Sequence, residues 1–257
     1  MSAPTTSDCN QDADRAHGSS LQRLVSRLRP YYEDPFVTIY HGDCLEIGEH
    51  LPKVDCILTD PPFFMPATHY QSRVKWQRTW GDTSILRGYW QRVAALLVPR
   101  LNQTGHWLTF CNHESYPVFY PVFYSHFDYL KAIVWDKGHV GLGRVWRNQH
   151  ELIIAARWDT SEFVEDGKLR ADVLKHKATS SSDRLHPVEK PDSLLQDLLI
   201  PTTKPGQIIL DPFAGSGSTL SAAKALGRRA IGIECEEKYC ETAAKRCAQD
   251  CMALGDG

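Results

Sequence analysis

The chain has 257 residues, 42% of them hydrophobic, and a formal net charge of −2 at pH 7. That is enough apolar material for the core of one α/β domain; no apolar run reaches the roughly 18 residues of a membrane span, and the charge excludes a strongly basic, nucleic-acid-coating polypeptide. The 8 cysteines contain no Cys-x-x-Cys pair, which favours buried, reduced thiols over a zinc site or a disulfide framework.

Residues 1–35 read as a flexible tail. The first part is polar and carries acids, unlike a signal or transit peptide, and its Ser, Thr, Asp and Gly content disfavours packing. Residues 36–40 form the first expected strand, followed by His41, Gly42, Asp43 and Cys44. A second strand is expected over 53–59, with 55–59 as its apolar part. Asp60, Pro61, Pro62 and Phe63 follow at its carboxyl end, where open α/β sheets place their ligands. Two prolines fix φ and hold the preceding residues extended. Such a loop can aim the Asp60 carboxylate and the Pro61 carbonyl at one point, and two acceptors there can hold both hydrogens of an amino group. Phe63 offers a face to an extruded base, a stack typically worth about 1–3 kcal/mol. Taken alone, the same four residues also suit a rigid surface turn.

Next come Arg73, Lys75, Trp76 and Arg78, within a loop over 64–82. An amphipathic helix is expected over 85–98, closed near Pro99, then a strand over 106–111. Residues 115–124 form an aromatic helix interrupted by Pro117 and Pro121. Strands follow at 130–135 and 150–156, with Arg144, Val145, Trp146 and Arg147 between them. The segment 168–184 adds Lys168, Arg170, Lys175, Lys177 and Arg184. Each cationic cluster also suits a plain solvated face. Their shared place in loops near strand ends favours a nucleic-acid-facing rim. Phosphate contacts are expected from Arg73, Lys75, Arg78, Arg144, Arg147, Lys175 and Lys177. His186, Pro187 and Lys190-Pro191 precede a helix over 192–199.

The last third is the most specific. A buried strand over 207–210 ends in Asp211, followed by Pro212, Phe213, Ala214, Gly215, Ser216, Gly217, Ser218 and Thr219. A helix over 220–226 stops at Gly227, and a strand over 228–234 ends in Glu234. Strand, glycine turn, helix, strand and acid make the mononucleotide-binding half of a doubly wound sheet. No Lys precedes Ser218, so this is not a triphosphate loop, and the third glycine of the dinucleotide fingerprint is missing. S-adenosylmethionine suits what remains: Asp211 for its ammonium group, Gly215 and Gly217 for its methionyl backbone, Glu234 for its ribose. A helix over 236–252 follows, with Cys240, Ala243, Ala244, Cys247 and Cys251 at helical spacing. No third strand fits after it. The strand at 36–40 supplies the missing one, so the sheet is expected to be circularly permuted.

The Asp60–Phe63 motif, followed much later by the Asp211–Thr219 motif, resembles the β-class amino-group DNA methyltransferases, which act on adenine N6 or cytosine N4. The resemblance spans roughly residues 37–250. It implies a Rossmann-like, S-adenosylmethionine-dependent methyltransferase fold, with about seven strands in a mostly parallel sheet and an antiparallel last pair. It also implies site-specific methylation of adenine N6 in double-stranded DNA, with the target base flipped out and no metal required. Phe63 stands where most members carry Tyr, which keeps the stacking face and loses a hydroxyl. Asp60, in place of Ser, resembles the adenine subgroup; cytosine N4 stays open as the alternative, and a non-catalytic homologue as a more distant one. In the family, the acid corresponding to Asp43, beside Cys44, contacts the adenine amine of the cofactor, and the segment carrying Lys190 lies against its methionine part. Residues 36–257 would form the catalytic domain, with target recognition in 64–82 and 136–185. Little room remains for a separate recognition domain, which leaves a homodimer open. A cognate restriction enzyme and a bacterial or phage-infected cytoplasm follow from the family likeness.

Overall fold

Apolar residues alternate along the strands in a way that buries both faces of one sheet. Cys56 and Leu58 of β3 (Val54–Thr59) face one core and Ile57 the other. In β4 (Leu101–Cys111), Leu108 and Phe110 face the first core, Trp107 and Cys111 the second. Such double burial is the mark of a parallel sheet covered by helices. The computed structural model describes residues 29–62, 82–141, 145–164, 169–178 and 190–253. Phe63, Arg73, Lys75, Arg78, Arg144, Lys168, Arg184 and 179–189 lie outside the described residues.

The remaining strands are β1 (Tyr32–Glu33), β2 (Val37–His41), β5 (Tyr129–Asp136), β6 (His150–Arg157), β7 (Val173–Lys175), β8 (Ile208–Asp211) and β9 (Arg229–Glu234). Their order is β1-β2-β9-β8-β3-β4-β6-β5-β7. From β2 to β4 all neighbours are parallel, and β6 runs antiparallel to both β4 and β5. The expected permutation is present: β2, from the start of the chain, pairs with β9, from its end, in register from Val37↔Ala230 to His41↔Glu234.

Besides the short α1 (Cys44–Ile47), α2 (Thr83–Leu97) and α3 (Tyr116–Tyr124) cover one face. On the other face lie α4 (Asp192–Leu199), α5 (Ser218–Ala225) and α6 (Glu237–Ala253). The connection from β3 to β4 through α2 therefore runs over one face, and that from β8 to β9 through α5 over the other. β8 and β3 are adjacent, and the helices that follow them lie on opposite faces, the arrangement in which open α/β sheets bind ligands at the carboxyl ends of the strands. Asp211 ends β8 and Asp60 follows β3.

Local chemistry explains the helix ends. The Asp82 carboxylate accepts the Ser84 N–H at 2.8 Å and caps α2. Gly227 adopts φ +70°; its N–H bonds Lys224 O at 2.9 Å and that of Arg228 bonds Ala223 O at 2.9 Å, a Schellman stop for α5. In α3, Pro117 sits harmlessly in the first turn, while Pro121 removes one backbone donor inside it. Phe119 and Phe123 compensate by packing on Trp90, with ring centroids 4.7 and 5.7 Å away.

Two edge strands and half of β4 differ from the sequence expectation of about seven strands. Nine strands stand among the described residues. β1 and β7 are too short to show a period of two, and β1 lies inside the expected tail, upstream of residue 36. There Asp34 Oδ2 takes the buried Lys224 ammonium at 2.6 Å, and its Oδ1 takes the N–H groups of Phe36 and Val37. β4 starts at Leu101, not 106, because its polar first half pairs with β3 through a register shift between Val54 and Cys56. Gly105 permits that approach: a Cβ there would lie 2.5 Å from Asp55 O. No helix among the described residues is long and apolar enough to cross a membrane. Cys44, Cys56, Cys111, Cys240 and Cys247 are buried thiols outside any disulfide, whereas the Cys235 thiol is exposed.

Candidate active site

Parallel pairing brings the carboxyl ends of β2, β9, β8, β3 and β4 to one edge. Asp43, Glu234, Asp211, Asp60 and Cys111 are thereby gathered from distant parts of the chain. The beginning of β6 reaches the same edge because it runs the other way, and it brings Glu151.

The glycine loop is built from inside. Asp211 is 2% exposed. Its Oδ1 accepts the Thr59 hydroxyl at 2.7 Å and the Phe213 N–H at 3.1 Å. The Thr219 hydroxyl also bonds this carboxylate. Burial nevertheless pushes Asp211 up to about 6. The sequence assigns this carboxylate to a ligand ammonium; in the structure its Oδ1 bonds Thr59 and Phe213 and so ties the end of β8 to the end of β3. Glu234 does similar work from β9: Oε2 accepts the Gly215 N–H at 2.9 Å and Oε1 the Glu236 N–H at 2.8 Å.

The two loop glycines separate in role. Gly215 has φ +51°, and a Cβ built on it would meet nothing within 4 Å. Its side opens toward space a ligand can fill. Gly217 has φ +81°, and its Cβ would strike the Ala243 Cβ at 2.8 Å. Glycine at this position lets α5 start close against α6. Ser218 Oγ accepts from Arg246, also on the α6 side, at 2.7 Å. Ser216 and Thr219 are buried, Pro212 lies within the turn, and the Phe213 ring packs beside Trp90 with centroids 6.0 Å apart. Asp43 is exposed and caps α1 through the Leu45 N–H at 2.8 Å. Cys44 is buried, its sulfur 3.4 Å from the Tyr89 hydroxyl.

The second half of the site lies around Asp60. Lys190, 5% exposed, donates its ammonium to Asp60 Oδ2 and stands 3.5 Å from Glu151 Oε2. Glu151 Oε1 takes Lys137 Nζ at 2.5 Å. The family resemblance implies that the segment carrying Lys190 lies against the methionine part of the cofactor; the structure shows its ammonium bonded to the carboxylate that follows β3. Asp60 Oδ1 is shielded from solvent and has no hydrogen-bond partner among the described residues. A buried carboxylate oxygen left without a donor costs on the order of 1–3 kcal/mol, so its presence marks a position waiting for one. Burial pushes Asp60 up to about 6 even though the Lys190 ammonium pulls it down. Pro61 is buried and Pro62 half-buried beside it.

Glu151 and Lys137 were not singled out from the sequence. Nothing local distinguishes them, and only the antiparallel turn of β5 and β6 brings them to Asp60. Of the expected phosphate-contacting cations, Arg147, Lys175 and Lys177 are described and exposed. They lie at the ends of β5, β6 and β7 nearest Lys137, on the same rim as Asp60. Arg147 Nε donates to Gly141 O at 2.7 Å, which braces the turn between β5 and β6. Among the described residues no cluster of His, Cys, Asp and Glu could hold a metal ion. A cavity of about 640 Å³ beneath His106, Tyr129, Leu174 and Leu198 opens elsewhere, toward the amino ends of β4 and β5, and contains none of the motif residues.

Comparison with known proteins follows the same geometry. The DNA methylase family matches residues 54–245, a range that includes Asp60, Lys190, the glycine loop and Glu234 and begins after Asp43. The Type II methyltransferase M2.LlaDCHI of Lactococcus lactis subsp. cremoris is 29% identical over 86% of this chain and 93% of its own length. The Type II methyltransferase M2.DpnII of Streptococcus pneumoniae is also 29% identical, with 86% and 93% covered. The crystal structure of the M1.HpyAVI–SAM complex superposes with a TM-score of 0.63 at 26% identity, covering 82% of this chain and 99% of that one. The cytosine-N4-specific PvuII DNA methyltransferase, at 17% identity and a TM-score of 0.67 over 85% of this chain and 88% of that one, shares the fold.

Proposed function

The chain belongs to the DNA methylase family, and from that premise we propose that it methylates the exocyclic N6 amine of adenine at specific sites in duplex DNA. It is an S-adenosylmethionine-dependent DNA methyltransferase. The residues present fit this donor. The open side of Gly215 admits a ligand close to the backbone, Glu234 stands at the end of β9 to meet ribose hydroxyls, and exposed Asp43 stands at the end of β2 to meet an adenine amine. Lys190 is not assigned to the donor, because its ammonium is engaged at Asp60.

When bound, S-adenosylmethionine supplies an electrophilic methyl group. The task of the protein is to make a poor nucleophile react. An adenine amine delocalises its lone pair into the ring. Asp60 Oδ1 and the Pro61 carbonyl accept its two hydrogens and favour the pyramidal geometry in which the lone pair is free. Asp60 then takes the proton that the nitrogen gives up. Phe63 stacks on the flipped base. The exposed Arg147, Lys175 and Lys177 contact phosphates, and 64–82 and 136–185 carry the target recognition of a catalytic domain spanning 36–257. A cognate restriction enzyme and a cytoplasmic setting accompany this reading, supported by the Type II bacterial relatives; a homodimer would enlarge the DNA-facing surface.

The observation that carries the reading is Asp60 Oδ1, buried and without a partner among the described residues, held beside the glycine loop by a lysine on its other oxygen. Asp60→Asn tests it. Methyl transfer to DNA should fall by about 10²-fold or more with S-adenosylmethionine affinity unchanged by calorimetry. Full transfer by that variant would remove Asp60 from the mechanism.

A further inference from the structure

Asp60 faces two conflicting demands. It must stay ionised in a buried place, which calls for a cation. It must also remain a good acceptor for an amine, which a tightly held cation opposes. Lys190 meets the first demand. Its ammonium is nearly out of solvent, bonded to Asp60 Oδ2, and lies 5.0 Å from the centroid of the Phe110 ring.

We propose that Glu151, backed by Lys137, is a positioning residue of methyl transfer that shares the Lys190 ammonium with Asp60 and thereby sets how strongly Asp60 accepts the amine and its proton. This rests on the reading of Asp60 as the amine acceptor. Glu151 aims Oε2 at Lys190 Nζ, 3.5 Å away, and that oxygen is buried with no hydrogen-bond partner of its own among the described residues. Its other oxygen is fixed by Lys137 at 2.5 Å. A strut that only joined β5 to β6 would need the Lys137 contact alone and would leave Oε2 to water. Here both carboxylates converge on one ammonium, and the four charges of Asp60, Glu151, Lys190 and Lys137 sum to zero. Neutral overall, the group can stay buried at a cost that two unbalanced charges could not sustain.

The charges act in opposite directions on Asp60. Burial raises it first, Lys190 lowers it, Glu151 raises it and Lys137 lowers it. The other ionisable groups facing it among the described residues are Asp211, itself raised chiefly by burial, and the Cys111 thiol, which burial keeps neutral. Removing the Glu151 charge therefore leaves Asp60 a weaker base, and removing the Lys190 charge leaves it a stronger one that protonates sooner.

The test is the pH profile of kcat/KM for DNA, measured at saturating S-adenosylmethionine so that cofactor binding does not contribute. The acid limb reports the free enzyme's essential base. Glu151→Gln should move that limb down by about one pH unit, Lys190→Met should move it up, and Glu151→Asp, which keeps the charge, should restore the wild-type limb. Glu151→Gln changes no volume, so the test stands even where Lys190→Met fails to fold. A Glu151→Gln limb that coincides with wild type or moves up overturns the proposal, provided Asp60→Asn is inactive. An active Asp60→Asn would instead show that the reading beneath it is wrong.

Discussion

Lys190 and Asp60 lie 130 positions apart and meet at the carboxyl end of β3, where the lysine takes one carboxylate oxygen and leaves the other buried without a partner among the described residues. The pair defines the direction in which Asp60 can accept. An oxygen fixed by an ammonium cannot swing away, so the free oxygen is preorganised for an incoming amine, and less reorganisation is needed when charge develops.

The two loop glycines should separate in the laboratory as they do in space. Gly217→Ala collides with Ala243 and holds alanine at φ +81°; it should lower stability by about 2–3 kcal/mol. In Gly215→Val the added Cβ meets no protein atom within 4 Å, and the variant should lose about 1–2 kcal/mol to its left-handed backbone, while weakening S-adenosylmethionine binding tenfold or more, as roughly 1.4 kcal/mol of lost contact would do. Thermal melts of the apoprotein and calorimetric titration of each variant check the split. Equal cofactor affinity for Gly215→Val and wild type would count against the open side of Gly215 as the ligand's place.

Buried Lys224 and half-buried Asp34 tie the segment before β2 to α5. Lys224 Nζ also bonds Cys247 O at 2.7 Å, so one side chain joins three elements. Removing either partner of a buried pair strands the other, at a cost of about 3–5 kcal/mol; Asp34→Ala should show a loss of that order in urea unfolding. Burial would raise Asp34, but the Lys224 ammonium and the backbone N–H groups hold it down at about 2, below its ordinary 3.8. Its contribution is therefore complete above pH 3.8 and fades as the pH falls toward 2. Wild type and Asp34→Asn should differ most at neutral pH and converge in strong acid.

Asp211 behaves in the opposite sense. With its folded value raised to about 6 from 3.8, the ionised form destabilises the apoprotein, so this group favours folding below pH 3.8 and loses that contribution as the pH rises through 6. Asp211→Asn should hold or raise the melting temperature at pH 8 while loosening the cofactor loop. Thr59→Val, which removes the 2.7 Å hydroxyl bond to this carboxylate, should lose about 1–3 kcal/mol. A melting temperature for Asp211→Asn well below wild type at pH 8 would show that its ties to Thr59, Phe213 and Thr219 outweigh burial.

The exposed rim cations should act through phosphate charge. Arg147→Ala, Lys175→Ala and Lys177→Ala should each weaken DNA binding similarly across sequences and reduce the slope of log K against log salt by about 1. Fluorescence anisotropy over a salt series reads this directly. A variant with unchanged slope does not touch the backbone.

How much of this was legible in the sequence follows from range. The Asp211–Thr219 loop, the helix stop at Gly227 and the acid ending β9 are local patterns, and each has its counterpart in the structure. The permutation was legible because a whole strand was missing after 234 and present at 36. What escaped depended on distant neighbours. The packing role of Gly217 shows only when Ala243 of α6 is placed against it. The pairing of Lys190 with Asp60 shows only when the end of β3 is brought to it. Glu151 and Lys137 sit in an ordinary hairpin sequence, and β1 and β7 are only as long as the pairing that creates them.

The most direct measurement is methyl transfer from labelled S-adenosylmethionine to unmethylated duplex DNA, read by mass spectrometry of the released nucleosides. Label in N6-methyladenine, lost in Asp60→Asn, is the expected result. Label in N4-methylcytosine alone would contradict the choice of base, and label retained in Asp60→Asn would contradict the mechanism itself.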